Sequence, residues 1–432
     1  MKPQLTQEKK HQIIVDKYGS NFCAAPFNSL HEGPDGLVST CCKTREPIGN
    51  SKEQTFTEMY NSEHVKNVRR QFLLNQKPSQ CQSCWVQETN GKPSNNRAFS
   101  NASGFDTIDE VVANTDPDGT VRVQKPGWLD LLWTNKCNFA CLGCSPELST
   151  TIAKNHKKSF SILNGVNYPE VSDDSIQWKN NNHAKIDYIL KHRDSITMIH
   201  LNGGEPFLSD DIYELLDVLL ANNLHKTIKI WSHTNGSITH SYRGVDIVNE
   251  YLVHWGENAS ITMSNDGNGL RGEYIRYGYR DKRWLETYRK IKEAKIKLNI
   301  QTCLNVFNGL AMEEIGQWLL DNCTINEQIP FGSLTLWTND STNIRLYNFD
   351  PEVKERAVRT MQNLLISKNC PQGWERHLPS HLSWINPRVM PNIDFARKFY
   401  NGTVSLDTER GTDFNAAFPE LIDFRNNIKK II

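Results

Sequence analysis

The chain has 432 residues, with 49 Lys or Arg against 49 Asp or Glu, a formal net charge of zero. That balance creates no global field to attract nucleic acid or an anionic membrane. No run approaches the ~18 uninterrupted apolar residues of a membrane span. The length accommodates two or three domains with an ample core. The opening residues, Met1–Lys10, lack the apolar segment of a secretory signal. The 11 cysteines are therefore expected in a reducing cytoplasm, where CxxC spacing means metal or redox chemistry more often than disulfides.

In chain order, residues 1–100 hold five of the 11 cysteines and little regular periodicity. A Gly/Asp/Asn-rich stretch, 101–126, reads as a linker of turns. From 127 onward, strands are predicted at 127–133, 195–202, 226–232, 259–264, 295–305 and 330–337. Amphipathic helices are predicted near 209–222, 243–255, 283–294 and 309–321. This alternation implies an α/β fold with parallel pairing and right-handed crossovers, a partial (β/α)6 TIM-like barrel over 127–345. Residues 346–432 read as a helical C-terminal extension.

The strand at 296–306 has two different faces. Ile296, Leu298, Ile300, Thr302, Leu304 and Val306 line one, and Lys297, Asn299, Gln301, Cys303 and Asn305 the other. An ordinary barrel fills its lumen with Val, Ile and Leu. The polar face is therefore expected to line a lumen that binds something.

Chemistry concentrates just past the predicted strand ends, the functional face of a parallel barrel. Cys137, Cys141 and Cys144 follow the first strand as CxxxCxxC, a pattern expected by chance only about 0.01 times in such a chain. Three thiolates hold three irons of a 4Fe–4S cubane and leave the fourth open to a small molecule. Gly203-Gly-Glu-Pro206 ends the second strand and Thr234-Asn-Gly236 the third. Ser264-Asn-Asp-Gly267 ends the fourth, followed by Arg271 through Gly278.

Together these motifs, over about 127–340, resemble the radical S-adenosylmethionine (radical SAM) enzymes. The resemblance implies that SAM chelates the open iron of a cluster held by Cys137, Cys141 and Cys144. It implies that Gly203 and Gly204 meet the SAM amino group while Glu205 orders the turn. Ser232 and Asn235 would meet the ribose, Ser264 and Arg276 the SAM carboxylate, and Asn305 or the Val306 backbone the adenine. Arginine suits a carboxylate because its planar fork matches it. Cys303 is a candidate hydrogen-atom donor and Asp340 a candidate base, each weighed against a plain structural role. His200 and His233 read as structural. A flavodoxin- or ferredoxin-type reductant is the implied electron source.

A second cysteine set precedes this region. Cys23-Ala-Ala-Pro-Phe27, Cys41-Cys42 and Cys81-Gln-Ser-Cys84, with Glu88, Gly91, Ser94 and Arg97, resemble the SPASM/twitch auxiliary-cluster domain. The implied ligands of a second 4Fe–4S cluster are Cys23, Cys41, Cys81 and Cys84, with Cys42 as the alternative to Cys41. Four thiolates also suit tetrahedral zinc. In most relatives the module follows the barrel; here residues 1–100 carry it first. The expected activity is hydrogen abstraction from a peptide, protein or small polar substrate. The alternatives are an epimerase or dehydrogenase of a sugar-like metabolite, and a non-catalytic iron–sulfur or zinc scaffold. Neither nucleic acid nor membrane is an expected partner.

Overall fold

The structure, a computed structural model, describes residues 5–44, 46–89, 94–168, 182–237, 244–323, 335–336, 351–367, 370–371, 374, 378, 382 and 393–431. Its strands are β1 (Ser29–Glu32), β2 (Leu37–Ser39), β3 (Gly49–Asn50), β4 (Trp128–Thr134), β5 (Ala140–Cys141) and β6 (Met198–Gly203). They continue with β7 (Lys229–Thr234), β8 (Ala259–Ser264), β9 (Arg276–Tyr277), β10 (Lys297–Gln301), β11 (Cys303–Leu304) and β12 (Thr335–Leu336). The chain divides into two compact units: Met1–Thr134 with Trp178–Gly203 and Asp210–Ser232, and Asn135–Gln177 with Gly204–Ser209 and His233–Ile432. None of the described helices is long and apolar enough to cross a membrane.

In the first unit a mixed sheet runs β7-β6-β4-β1-β2-β3. β7, β6, β4 and β1 are parallel neighbours, and β2 and β3 turn back antiparallel. Every residue of β4 is buried, as its near-continuous apolar run requires of a strand covered on both faces. Helix Asp210–Ala221 covers part of the sheet's unit with Ile212, Leu215, Leu216 and Leu219, spaced i, i+3, i+4, i+7.

The N-terminal residues are more regular than their sequence suggests. Helices span Gln7–Tyr18, Phe56–Tyr60, Glu63–Leu73, Gln82–Glu88 and Asn95–Gly104. Thr55 and Glu58 form a capping box at one of them. Where 101–126 was expected to be only turns, helix Ile108–Ala113 buries Ile108 and Val111. β1 pairs in parallel with β4, Ser29 opposite Trp128, a neighbour the linear pattern does not reveal.

In the second unit β8 and β10 pair in parallel from Ser260–Lys297 to Ser264–Gln301. The alternation holds over 296–304, where Ile296, Leu298, Ile300, Thr302 and Leu304 are buried and Lys297 is exposed, and it ends at Asn305, which is buried beside Val306. The strand breaks at Thr302, so 295–305 becomes β10 and β11 rather than one element. Of the strand predicted at 330–337, the described residues include only β12, which pairs with β11. Helices Asp281–Glu293 and Met312–Asn322 match expectation. The helix expected over 243–255 is instead a π turn, Ile247–Tyr251, capped by Asp246 and followed by a tighter turn, Leu252–His254. The C-terminal helix Ile393–Arg410 packs in an aromatic cluster of Tyr274, Phe307, Phe399, Phe414 and Phe418.

Candidate functional site

After Thr134 the chain enters the cysteine loop, which belongs to the second unit. Cys137 is tied at both backbone groups. Its N–H donates to Thr150 Oγ1 at 3.2 Å, and its carbonyl accepts from Thr151 Oγ1 at 2.7 Å. Cys141 lies in β5, antiparallel to β9 and directly opposite Arg276. The Cys144 N–H closes a turn on the Cys141 carbonyl at 3.0 Å. The spacing thus folds three thiols into one neighbourhood, where Cys137 senses the charges of both Cys141 and Cys144.

Burial raises all three thiols, Cys144 to about 12. Three crowded, desolvated thiolates are unfavourable until metal takes up their charge. Two guanidiniums already oppose that penalty at Cys141. Arg276 Nη1 donates to its sulfur at 3.6 Å. Arg410 donates to the Ala140 carbonyl at 2.8 Å and stacks over Tyr277. Among the described residues no three His, Cys, Asp or Glu side chains converge on a single-ion site.

Arg276 also pairs with Asp266 at 2.8 Å, and Asp266 Oδ1 accepts the Cys303 N–H at 2.7 Å. A chain of contacts therefore links Cys141 to Cys303. Asn235 donates to Asn138 Oδ1 at 2.9 Å and reaches Cys137 Sγ at 4.0 Å. Asn305 caps the short helix Val306–Gly309, accepting from Phe307 N–H and donating to the Cys303 carbonyl. The Ser264 carbonyl accepts from Trp284 Nε1. In the first unit, buried Ser232 donates to the Leu201 carbonyl at 3.1 Å. Asp340 lies outside the described residues.

The double glycine has a concrete steric cause. Gly203 has φ +152°, and a Cβ there would stand 2.4 Å from the Thr134 carbonyl oxygen. A Cβ on Gly204 would stand 2.5 Å from the Lys136 carbonyl oxygen. In both cases the close approach is to the chain entering the cysteine loop, not only to any ligand. Glu205 then locks the turn. Its N–H donates to the Lys136 carbonyl, and its carboxyl accepts from Thr234 Oγ1 at 2.8 Å and the Asn235 N–H at 2.7 Å.

Burial pushes the Glu205 carboxyl up to about 7, against the opposing Asn235 N–H and Thr234 hydroxyl. A carboxyl that binds its proton more tightly when folded stabilises fully below its unfolded value, near 4.5, and loses that contribution as pH rises to about 7. The loss amounts to roughly 3 kcal/mol. Glu205→Gln, whose amide never ionises, is therefore expected to gain stability relative to wild type between pH 5 and pH 8. Urea midpoints at the two pH values check this; an unchanged difference would refute it.

In the first unit Cys23, Cys41, Cys81 and Cys84 line one cavity together with Phe72, Trp85 and Arg97. Cys81 senses the charges of the other three. Burial raises Cys23 to about 12 and also raises Cys41, Cys81 and Cys84. Arg97 holds the frame: it pairs with Glu88 through Nε at 2.8 Å and Nη2 at 2.9 Å, and its Nη1 donates to the Ser20 and Phe22 carbonyls. Cys42 lies outside this cavity. It is exposed, and its sulfur accepts from Asn96 Nδ2 at 3.4 Å.

Sequence reading did not find Asp266 or Arg410 as site residues. Asp266 sits inside the quoted Ser264–Gly267 motif, where its acidic side chain was a usable signal. Arg410 lies 266 residues after Cys144, with no local pattern to mark it.

Residues 23–85 match the SPASM family model, an iron–sulfur cluster-binding domain, and residues 123–253 match that of a 4Fe-4S single cluster domain. The Streptococcus suis SuiB structure bound to precursor peptide SuiA is similar at 13% identity, covering 72% of this chain and 64% of that one, with a TM-score of 0.40. Native anSMEcpe with bound AdoMet is similar at 13% identity, covering 55% of this chain and 60% of that one, with a TM-score of 0.33. The chain thus spans a little under two thirds of the SuiB chain it matches. A search of the curated proteins finds no match. Two cysteine sets under two cluster-domain matches define an iron–sulfur protein. The SPASM match takes in the first cysteine set, and the CxxxCxxC loop lies within the stretch that matches the 4Fe-4S single cluster domain.

Proposed function

We propose that the chain is a radical SAM enzyme that abstracts hydrogen from a peptide or protein substrate. The observation that carries this reading is the CxxxCxxC loop, which gathers three half-buried thiols beside two guanidiniums. When bound there, a 4Fe–4S cluster with one open iron, together with SAM, supplies reductive cleavage to a 5′-deoxyadenosyl radical.

The chain's own residues hold, orient and shield. Cys137, Cys141 and Cys144 are the proposed cluster ligands, and Arg276 and Arg410 offset their negative charge. Gly204, Glu205 and Asn235 form the frame beside Cys137. Gly203, Ser232, Ser264 and Asn305 keep the SAM-facing roles the resemblance implies. Cys303, tied through Asp266 to Arg276, is the proposed hydrogen-atom donor if the reaction is a redox-neutral epimerisation. Asp340 stays a candidate base. Cys23, Cys41, Cys81 and Cys84 are the proposed ligands of a closed auxiliary cluster, preferred over zinc on the SPASM match over residues 23–85. A flavodoxin- or ferredoxin-type protein is the proposed reductant.

Anaerobic iron and sulfide analysis with EPR tests the reading on wild type and the Cys137/Cys141/Cys144→Ala triple variant. About eight irons falling to about four is expected, with 5′-deoxyadenosine made from SAM only by the wild type. Reduced wild type that makes none would leave a non-catalytic scaffold instead.

A further inference from the structure

Four adjacent parallel strands of the first unit place one residue each in a single row. His31 stands opposite Asp130, Asp130 opposite His200, and His200 opposite Trp231. Alternation puts this row on the opposite face of the sheet from Leu129, Leu131, Ile199, Leu201 and Ile230. Asp130 is at the centre. Its Oδ2 meets His31 Nδ1 at 2.7 Å, its Oδ1 meets His200 Nδ1 at 2.7 Å, and Asn202 Nδ2 donates to Oδ1 at 3.3 Å. Trp231 stacks on the His200 ring with centroids 4.3 Å apart, and Phe99 packs against both Trp128 and Trp231.

The chemistry of this row follows from its atoms. Burial opposes ionisation of Asp130, yet the two imidazoles outweigh it and hold the carboxyl far below its usual range. An ionised carboxylate only accepts, so each facing Nδ1 must carry a hydrogen. In a neutral ring that leaves the lone pair on Nε2. Two Asp–His dyads therefore share one carboxylate. The His200 side chain is 7% exposed and lies under Trp231, whereas that of His31 is 19% exposed. Among the described residues, the His31 ring hydrogen-bonds to Asp130 alone. A row of Val or Leu would fill the same space without desolvating a charge.

We infer that His31 is a proton acceptor for the substrate, held in its Nδ1–H tautomer by Asp130 as the positioning residue. In this step an O–H, N–H or acidic C–H bond of the substrate breaks and leaves its electron pair on the substrate. The proton bonds to His31 Nε2, and the Asp130 carboxylate balances the imidazolium. The assignment rests on the reading of the chain as an enzyme.

The test uses the full-length, cluster-loaded chain under anaerobic conditions, with diethyl pyrocarbonate as the probe for a reachable imidazole lone pair. Peptide mass spectrometry follows acylation of His31 against exposed His183 in the same molecule. His31 is expected to acylate in the wild type. Asp130→Asn offers one acceptor oxygen in place of two and turns a ring to the other tautomer, so the His31 rate should fall about tenfold relative to His183. Asp130→Glu should restore part of that rate. His200→Gln, which keeps a donor to Asp130, should leave His31 reactive and serves if Asp130→Asn does not fold. A wild-type His31 that stays unmodified while His183 reacts overturns the assignment. So does an unchanged rate in Asp130→Asn with native iron content. Neither result depends on SAM cleavage, so failure here is distinct from failure of the radical reading.

Discussion

Cys41→Ser is expected to lose the auxiliary cluster, about four irons per chain, while Cys42→Ser keeps a wild-type iron count. The two cysteines are neighbours in sequence, and spacing alone leaves either as the ligand. Their side chains separate them. Cys41 opens into the cavity shared with Cys23, Cys81 and Cys84. Cys42 is exposed, accepts from Asn96 and lies near Asp130 instead. The local backbone enforces this division: Ser39 Oγ donates to the Cys41 carbonyl, and Ser29 Oγ to that of Thr40. Serine in place of a ligating thiolate is a poor iron ligand, and the remaining three thiols stay buried without their metal. Anaerobic iron analysis on the two variants reads the result directly. Iron lost from Cys42→Ser but not Cys41→Ser would reverse the ligand assignment.

Legibility in the sequence followed the range of the interactions involved. β8 matches its predicted bounds because Ala259–Ser264 is a short apolar run closed by a polar turn. The cysteine loop was legible because its three cysteines lie within eight residues, and their spacing is readable without a fold. Helix Glu63–Leu73 was not legible. Its buried face is Val65, Val68, Arg69 and Phe72, and an arginine reads as solvent-facing in any periodicity scan. In the fold Arg69 is buried and donates to the Pro26, Tyr60 and Gly119 carbonyls, a role no local pattern encodes. The row His31–Asp130–His200 failed for the same reason at longer range. Strand register brings together residues 99 and 70 positions apart, so His200 alone reads as structural and His31 carries no motif to mark it. The expected helix at 243–255 was lost to local chemistry: Asp246 accepts from the Val248 and Asn249 N–H groups and starts a wider turn.

Lys185→Met is expected to destabilise the fold by about 3–5 kcal/mol, and adding Glu32→Leu should recover most of that loss. Lys185 and Glu32 pair at 2.6 Å with side chains 1% and 2% exposed. Lys185 Nζ also donates to the Leu132 carbonyl at 2.6 Å and lies 5.3 Å from the centroid of the Trp133 ring. Glu32 takes a further bond from Ser51 Oγ at 2.6 Å. Burial pulls the Lys185 ammonium down, and the Glu32 charge is the main influence holding it up. Removing the ammonium alone leaves a carboxylate in a dry site with one hydroxyl for company, whereas removing both charges leaves apolar side chains in an apolar place. Urea midpoints of the two single variants and the double variant measure the coupling. A double variant no more stable than Lys185→Met would show that the cost comes from lost packing on Trp133. Recovery would show that the Glu32–Lys185 pair, whose Glu32 follows His31 in β1, is retained for placement rather than net stability.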